Sequence, residues 1–357
     1  MPLRPLYENL DITAMIVGMD QPHFNISPEL LRLVTLATEI RACIHSAVVD
    51  VSWLPVLQRE TAARLAHSST AIEGNLLTLP EVEALARGEE IGAPVKDKQE
   101  ILNALAAMHW IWNRKTGTPI KEADLLHLHR ILTRKILPDE QSGHYKTRPN
   151  RIVDHRGLTV YTPPPPDKAR SLTIALVEWI NSSASETLHP IIVGATAHHR
   201  LVFIHPFADG NGRISRALAI WLLYARGFDT HHLFALDEFF EQDRQRYYQK
   251  IQQVRDLNDD LSYWLEYAAE GVVETLNKVK ERILGLQVTT KAPRMMLTKR
   301  QEDILRFLRD RGRVKSPDIE KAFSLTRARI GQIIKPLIDA GLVIREGQTR
   351  ATTYRLP

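Results

Sequence analysis

The sequence predicts an all-α fold: a helical bundle interrupted by one β-hairpin and followed by a small basic module. Three observations predict it. Apolar residues recur at helical spacing through most of the chain, in segments that open on Ser, Thr or Pro and close on Gly. The helical pattern stops between Gly143 and Pro166 and again after Gly341, where short β-branched runs bracket polar turns. The charge is also uneven: residues 297–357 carry 14 Lys/Arg against 7 Asp/Glu, a net of +7, whereas the remainder, 33 against 35, is −2.

At 357 residues the chain has room for two or three domains and an ample core. Its 44% hydrophobic and 25% charged content is that of a soluble globular protein. Cys43 is the single cysteine, which excludes an internal disulfide and a thiolate metal cluster and fits a reducing cytoplasm. The first residues, Met1-Pro2-Leu3-Arg4, lead into no apolar signal core, and no apolar run approaches membrane-spanning length. A cytoplasmic protein is the expectation.

Ser27-Pro28-Glu29 reads as N-cap, N1 proline and acidic first turn, with Leu30, Leu31, Val34, Ala37, Ile40 and Ile44 at helical spacing behind it. A second helix is expected from Pro55 to Ser68, ending in Ser69-Thr70-Ala71-Ile72-Glu73-Gly74. Taken alone, that ending is a helix C-terminus with Gly74 as stop signal. Thr78-Leu79-Pro80-Glu81 is a capping box opening a short helix. Val95 to Trp112 is a longer one, with Trp112 in the core and Trp110 on the opposite side. Glu122 to Leu137 carries His127 and His129, whose spacing does not face one metal; both are expected to be structural or surface residues.

Arg151-Ile152-Val153 and Leu158 to Thr162 around a polar glycine turn predict a β-hairpin, ended by Pro163 to Pro166. Asp167 to Asn181 is amphipathic. His189 to Val202 looks buried, and its neighbours His198 and His199 diverge by about 100° on a helix, so they are read as structural. Asp237 to Asp256 and Leu261 to Leu286 complete the bundle, and Val288 to Met296 reads as a linker. The divisions expected are 1–115, 116–287 and 297–357.

The chemistry concentrates in His205-Pro206-Phe207-Ala208-Asp209-Gly210-Asn211-Gly212-Arg213-Ile214-Ser215-Arg216. Gly210-Asn211-Gly212 predicts a tight turn opening a helix, and unpartnered N–H groups at a helix start form an anion site. Arg213 and Arg216, three apart, add positive charge on one face. Asp209 offers a hard oxygen for Mg²⁺ brought by a nucleotide. His205 has the one side chain that titrates near neutrality. No Gly-Lys-Ser/Thr P-loop is present in the sequence.

This stretch resembles the Fic family motif, His-x-Phe-x-Asp/Glu-Gly-Asn-Gly-Arg-x-x-Arg, at every fixed position. The resemblance implies a Fic-type helical bundle and a protein adenylyltransferase that moves AMP from ATP onto a protein hydroxyl. It implies that His205 is the base and Asp209 the Mg²⁺ ligand. Gly210, Asn211 and Gly212 would hold the α-phosphate, Arg213 the β and Arg216 the γ. Phe207, within the same nucleotide-binding loop, is expected to anchor it from the core. In the family a tyrosine pair borders the adenine, here Tyr247 and Tyr248; Arg255 stands where some members read the base with asparagine.

Two further stretches match family features. Ser69-x-x-x-Glu73-Gly74 resembles the inhibitory motif, whose glutamate pairs with the second arginine, here Arg216, in place of the γ-phosphate. The hairpin resembles the flap that lays an unpaired edge beside the target segment, which would make Val160 and Tyr161 target-docking residues. Taken alone it is an ordinary surface hairpin.

At the end of the chain, helices opened by Thr298 and Ser316 and another over Leu325 to Ala340 precede a strand–turn–strand, and this resembles a winged helix-turn-helix. It would bind DNA through Arg327, Arg329 and Lys335, or dock protein instead; Pro336 is expected to kink its third helix. A homo-oligomer is also possible. The alternatives to AMP transfer are a Fic-fold enzyme that removes AMP or transfers UMP, phosphocholine or phosphate, and a DNA-binding regulator that uses nucleotide as a switch.

Overall fold

Helices make up most of the regular structure. The computed structural model describes residues 22–46, 54–153, 156–228, 230–289, 297–347 and 352–356. In chain order the first elements are α1 (Pro28–Ser46), α2 (Leu54–Ile72), α3 (Leu79–Ala86), α4 (Val95–Trp112), α5 (Glu122–Thr133), β1 (Ile152–Val153) and β2 (Thr159–Tyr161). There follow α6 (Pro166–Ile180), α7 (Ser183–Glu186), α8 (Pro190–Ile204), α9 (Asn211–Ala225), α10 (Asp237–Gln242), α11 (Arg244–Asp256) and α12 (Ser262–Thr289). The last are α13 (Lys299–Arg311), β3 (Val314–Lys315), α14 (Ser316–Phe323), α15 (Arg327–Asp339), β4 (Ile344–Glu346) and β5 (Thr353–Arg355). The backbone falls into two units: one of Met1–Arg41, Ala62–Asp229 and Phe234–Asn277, the other of Ala42–Thr61, Thr230–Leu233 and Lys278–Pro357.

In the first unit α8 and α9 pack against each other, and α4, α5 and α6 close around them. Ile101, Met108, Leu125, Leu128, Leu172, Leu176, Leu201, Ile204, Leu218 and Trp221 form the core between these helices. Trp112 is in it, whereas Trp110 is half-buried, edge-on to Trp221 at 5.1 Å. The loop between α8 and α9 carries the motif, so the best-packed helix pair of the unit fixes both ends of it.

Three boundaries differ from expectation for local reasons. α2 runs four residues past Ser68, to Ile72. It ends in a Schellman arrangement: Asn75 N–H donates to Thr70 O at 3.1 Å and Gly74 N–H to Ala71 O at 2.9 Å. α5 stops at Thr133, whose hydroxyl bonds Ser142 Oγ at 2.8 Å. The helix expected over Asp237 to Asp256 is two, because Asp243 leaves helical geometry and caps α11 by accepting from Arg246 N–H at 2.9 Å.

The hairpin pairs Ile152 with Tyr161 and Val153 with Thr159 across a bulge. The second unit holds a three-stranded antiparallel sheet in the order β3–β5–β4. Ile304, Leu308, Ile319, Ile330, Ile334, Leu337 and Tyr354 form its core. Thr298 and Gln301 build the capping box that starts α13. α15 continues through Pro336 to Asp339.

Candidate active site

α8 ends on His205, which adopts left-handed backbone geometry at φ 49° and turns the chain sharply into the loop. Its Nδ1 lies 3.2 Å from Val202 O, so Nδ1 carries the proton and Nε2 keeps its lone pair. Burial, opposed by that carbonyl, pushes the imidazole pKa down to about 4; the Lys146 charge lowers it further. A neutral ring with an open Nε2 can accept a proton.

The loop is braced from three sides. Asn211 closes it from within: Oδ1 accepts from Phe207 N–H at 3.0 Å and Nδ2 donates to Phe207 O at 2.9 Å. His129 braces it from α5: Nδ1 accepts from Gly143 N–H at 2.9 Å, which leaves Nε2–H to donate to Asp209 O at 2.9 Å. The segment before the flap supplies the rest. Lys146 N–H donates to Pro206 O at 2.9 Å, and Asn150 Nδ2 donates to Phe207 O at 3.0 Å. Lys146 Nζ in turn reaches Asn150 Oδ1 at 2.8 Å, and burial pushes its pKa down to about 8.

Phe207 is fully buried and stacks on His129 with ring centres 3.8 Å apart, an anchor worth about 1.5–3 kcal/mol for the side chain. Phe207 and Asn211 therefore hold the loop from inside. Phe207 anchors the loop from the core as expected, whereas the Asn211 side chain, expected to hold phosphate, is taken up by loop closure.

Gly210 has φ 78°, and a Cβ there would meet Thr133 at 3.0 Å. Gly212 has the decisive geometry. A side chain on it would collide with Glu73 Oε1, and its Cβ would lie 3.2 Å from Arg216 NH1. A carboxylate oxygen thus occupies the space over the start of α9, where unpartnered N–H groups favour an anion. Glu73 Oε1 accepts from Arg216 NH2 at 2.8 Å. Ser69 takes the same guanidinium through its carbonyl at 2.8 Å and its hydroxyl at 3.2 Å. Burial would lower the pKa of Arg216, but Glu73, Tyr247 and Asp237 together raise it, and the guanidinium stays charged.

Arg213 NH2 donates to Asp209 Oδ2 at 3.2 Å and NH1 to Glu100 Oε1 at 3.4 Å. Glu100 Oε2 accepts from Asn75 Nδ2 at 3.0 Å, next to the turn that ends α2. Asp209 is exposed, a carboxylate open to a cation. The structure therefore brings His205, Asp209, Gly210, Gly212, Arg213, Arg216, Ser69, Glu73 and Gly74 together.

Tyr161 lies elsewhere than expected, and Tyr247 stands beside Arg216 but is buried. Tyr247 is core: its hydroxyl meets His198 Nε2 at 2.9 Å. Tyr248 is the exposed member, its hydroxyl 3.4 Å from Ile72 O at the end of α2. Tyr161 is buried, its hydroxyl donating to Phe203 O at 2.8 Å, with the Arg255 guanidinium 3.9 Å over its ring. Val160 is exposed, as its position on the opposite face of β2 requires.

The sequence reading missed Asn75, Glu100, His129, Lys146, Asn150 and Asp237. A signal existed for His129: with Leu125, Leu128 and Leu132 it falls on the buried face of α5. The others are polar residues whose partners are remote in sequence.

The model of the Fic/DOC family matches residues 119–223. The chain thus carries a Fic/DOC domain over these residues. The Fic-domain chain is 29% identical to the protein adenylyltransferase Fic of Nematostella vectensis over 215 residues, 59% of this chain and 47% of that protein. It is 30% identical to the protein of the same name from Drosophila willistoni, over 66% of this chain and 45% of that one. The match thus spans about half the length of these relatives. Among solved structures, a Fic family protein from Desulfovibrio desulfuricans superimposes with a TM-score of 0.66 at 23% identity, over 94% of this chain and 98% of the other. A Fic domain protein from Bacteroides thetaiotaomicron gives 0.61 at 23%, over 72% and 97%. These two share the Fic fold. Among the described residues no helix is long and apolar enough to cross a membrane.

Proposed function

We propose that this Fic protein is an ATP-dependent protein adenylyltransferase, held in check by Glu73. The carrying observation is the Glu73 carboxylate seated over Gly212 and bonded to Arg216, a stand-in for a phosphate group in an anion site built for one. The relatives named protein adenylyltransferase Fic support the reaction type.

With Glu73 withdrawn, ATP would place its phosphates along the start of α9, with Arg213 and Arg216 as counter-charges. His205 Nε2 takes the proton from a target Ser, Thr or Tyr hydroxyl. The hydroxyl oxygen attacks the α-phosphorus, the α–β bridging bond breaks, and pyrophosphate leaves. Asp209, exposed beside the anion site, fits Mg²⁺ and would hold it together with phosphate oxygens. When bound, such an ion neutralises phosphate charge. Target docking along the flap is supported by exposed Val153, Leu158 and Val160.

The second unit supports a separate reading. Arg327, Arg329 and Lys335 are exposed on α15, in a region of net charge +7, and this arrangement favours a winged-helix role in DNA binding. The single cysteine favours a cytoplasmic setting.

Incubation of the protein with ATP labelled at the α- or the γ-phosphate tests the main reading. Covalent label from the α position alone is expected. Label from the γ position, or none from either after Glu73 is replaced, would overturn it.

A further inference from the structure

Arg216 is gripped from two sides by carboxylates on different elements. Glu73, at the end of α2, meets NH2 at 2.8 Å. Asp237, the first residue of α10, puts Oδ2 3.5 Å from Nε. Both Arg216 and Asp237 are almost wholly buried, whereas Glu73 is partly exposed. Ser69 Oγ accepts from the same Nε at 3.2 Å and also hydrogen-bonds to Asp237. The guanidinium divides its edges accordingly. Nε is shared between Ser69 and Asp237, NH2 faces the end of α2, and NH1 lies by Gly212.

This division matters when Glu73 leaves. Ser69 and Glu73 belong to the same helix end, so one displacement removes both. A buried guanidinium stripped of every carboxylate is an uncompensated charge, and such groups swing away or disrupt their surroundings. Asp237 sits on another element and stays. Its own carboxyl is pushed up by burial, partly offset by the pull of Arg216 and the Ser69 hydrogen bond.

We propose that Asp237 is the permanent counter-ion and positioning residue of Arg216. It fixes the Nε edge, so that the terminal nitrogens remain aimed at the space over Gly212 and receive the outermost phosphate of a nucleoside triphosphate. Glu73 is then the removable carboxylate and Asp237 the fixed one. This rests on the reading of the site as one for ATP, and it assigns to Asp237 a role in selecting triphosphate over diphosphate.

The test uses the full chain with Glu73→Gly, alone and combined with Asp237→Asn; should the latter not fold, Asp237→Ser takes its place. Calorimetry gives affinities for ATP and ADP, and thermal unfolding reports the fold. Glu73→Gly is expected to prefer ATP. Adding Asp237→Asn should weaken ATP by about tenfold, the order expected when one partner of a buried ion pair is neutralised, while ADP changes little. Asp237→Glu, which keeps the charge, should restore part of the preference. An unchanged preference for ATP in the Asp237→Asn protein would overturn the proposal, and so would equal weakening of ATP and ADP, which marks a merely structural residue. If Glu73→Gly transfers AMP but never prefers ATP, the proposal fails and adenylyl transfer stands. If neither nucleotide binds, the reading of the site fails and takes the proposal with it.

Discussion

Glu73 Oε1 lies 2.8 Å from Arg216 NH2 and fills the space that a side chain on residue 212 would need. One carboxylate therefore blocks both the arginine and the anion cradle. Its removal should raise transfer and self-modification well above wild type. The fold should change little, because Glu73 is partly exposed at a helix end whose Schellman bonds are made by the backbone. Adding Arg216→Ala should return activity to a low level, since the freed partner is missing. Labelled ATP and a gel compare the three proteins, and equal labelling of wild type and Glu73→Gly would show that the contact inhibits nothing.

His205→Ala should abolish transfer and leave ATP binding largely intact, because the ring serves the proton and the turn and arginines serve the phosphates. The pH profile carries a second expectation. Burial holds the His205 pKa near 4, so the base is already neutral at pH 5 and above. The rate for Glu73→Gly should thus show no inflection near 6.5 from this group and fall as pH drops through about 4. A His205→Ala protein as fast as its parent would sink this assignment.

Replacing Arg327, Arg329 and Lys335 with alanine in the full chain should weaken DNA binding and flatten its salt dependence. The slope should fall by about one for each phosphate that is no longer neutralised. The three are exposed on α15. Binding titrations at several salt concentrations decide it, and an unchanged slope would remove α15 from the interface.

Much of the proposed site was legible because it is contiguous: the turn, His205, Asp209 and both arginines fall within residues 205–216. The Glu73–Arg216 contact was legible for a different reason, a short pattern read beside the motif. What stayed hidden depends on tertiary placement. Asn211 matches the motif, yet its side chain faces the protein, and residue type alone does not say which way a side chain turns. Tyr161 and Val160 alternate across a strand, so one had to be buried, but the sequence does not say which face meets α8. Glu100, Asn75 and Asp237 carry no local pattern, because each acts through a partner more than 20 residues away.

His129 gives the last prediction. Its ring is fully buried, stacks on Phe207 and ties Gly143 N–H to Asp209 O through opposite nitrogens. His129→Ala removes the stack and leaves a buried N–H and a carbonyl unpaired, at a cost of about 2–4 kcal/mol. The tie also needs a neutral ring, since a protonated Nδ1 cannot accept from Gly143. Burial pushes the pKa of His129 down to about 4 in the folded protein, against an ordinary 6.5. Between these values the unfolded chain binds a proton that the folded one refuses, so stability rises with pH across that window. The stabilisation is complete above 6.5 and is lost as pH falls toward 4. From pH 7 to pH 5 this one residue should remove about 2 kcal/mol. Urea unfolding of wild type and His129→Ala at both pH values isolates the term: the wild type should lose more stability on acidification than the variant by about that amount. The same loss in both proteins would mean that the proton goes elsewhere and that His129 is not the acid-sensitive brace of the loop.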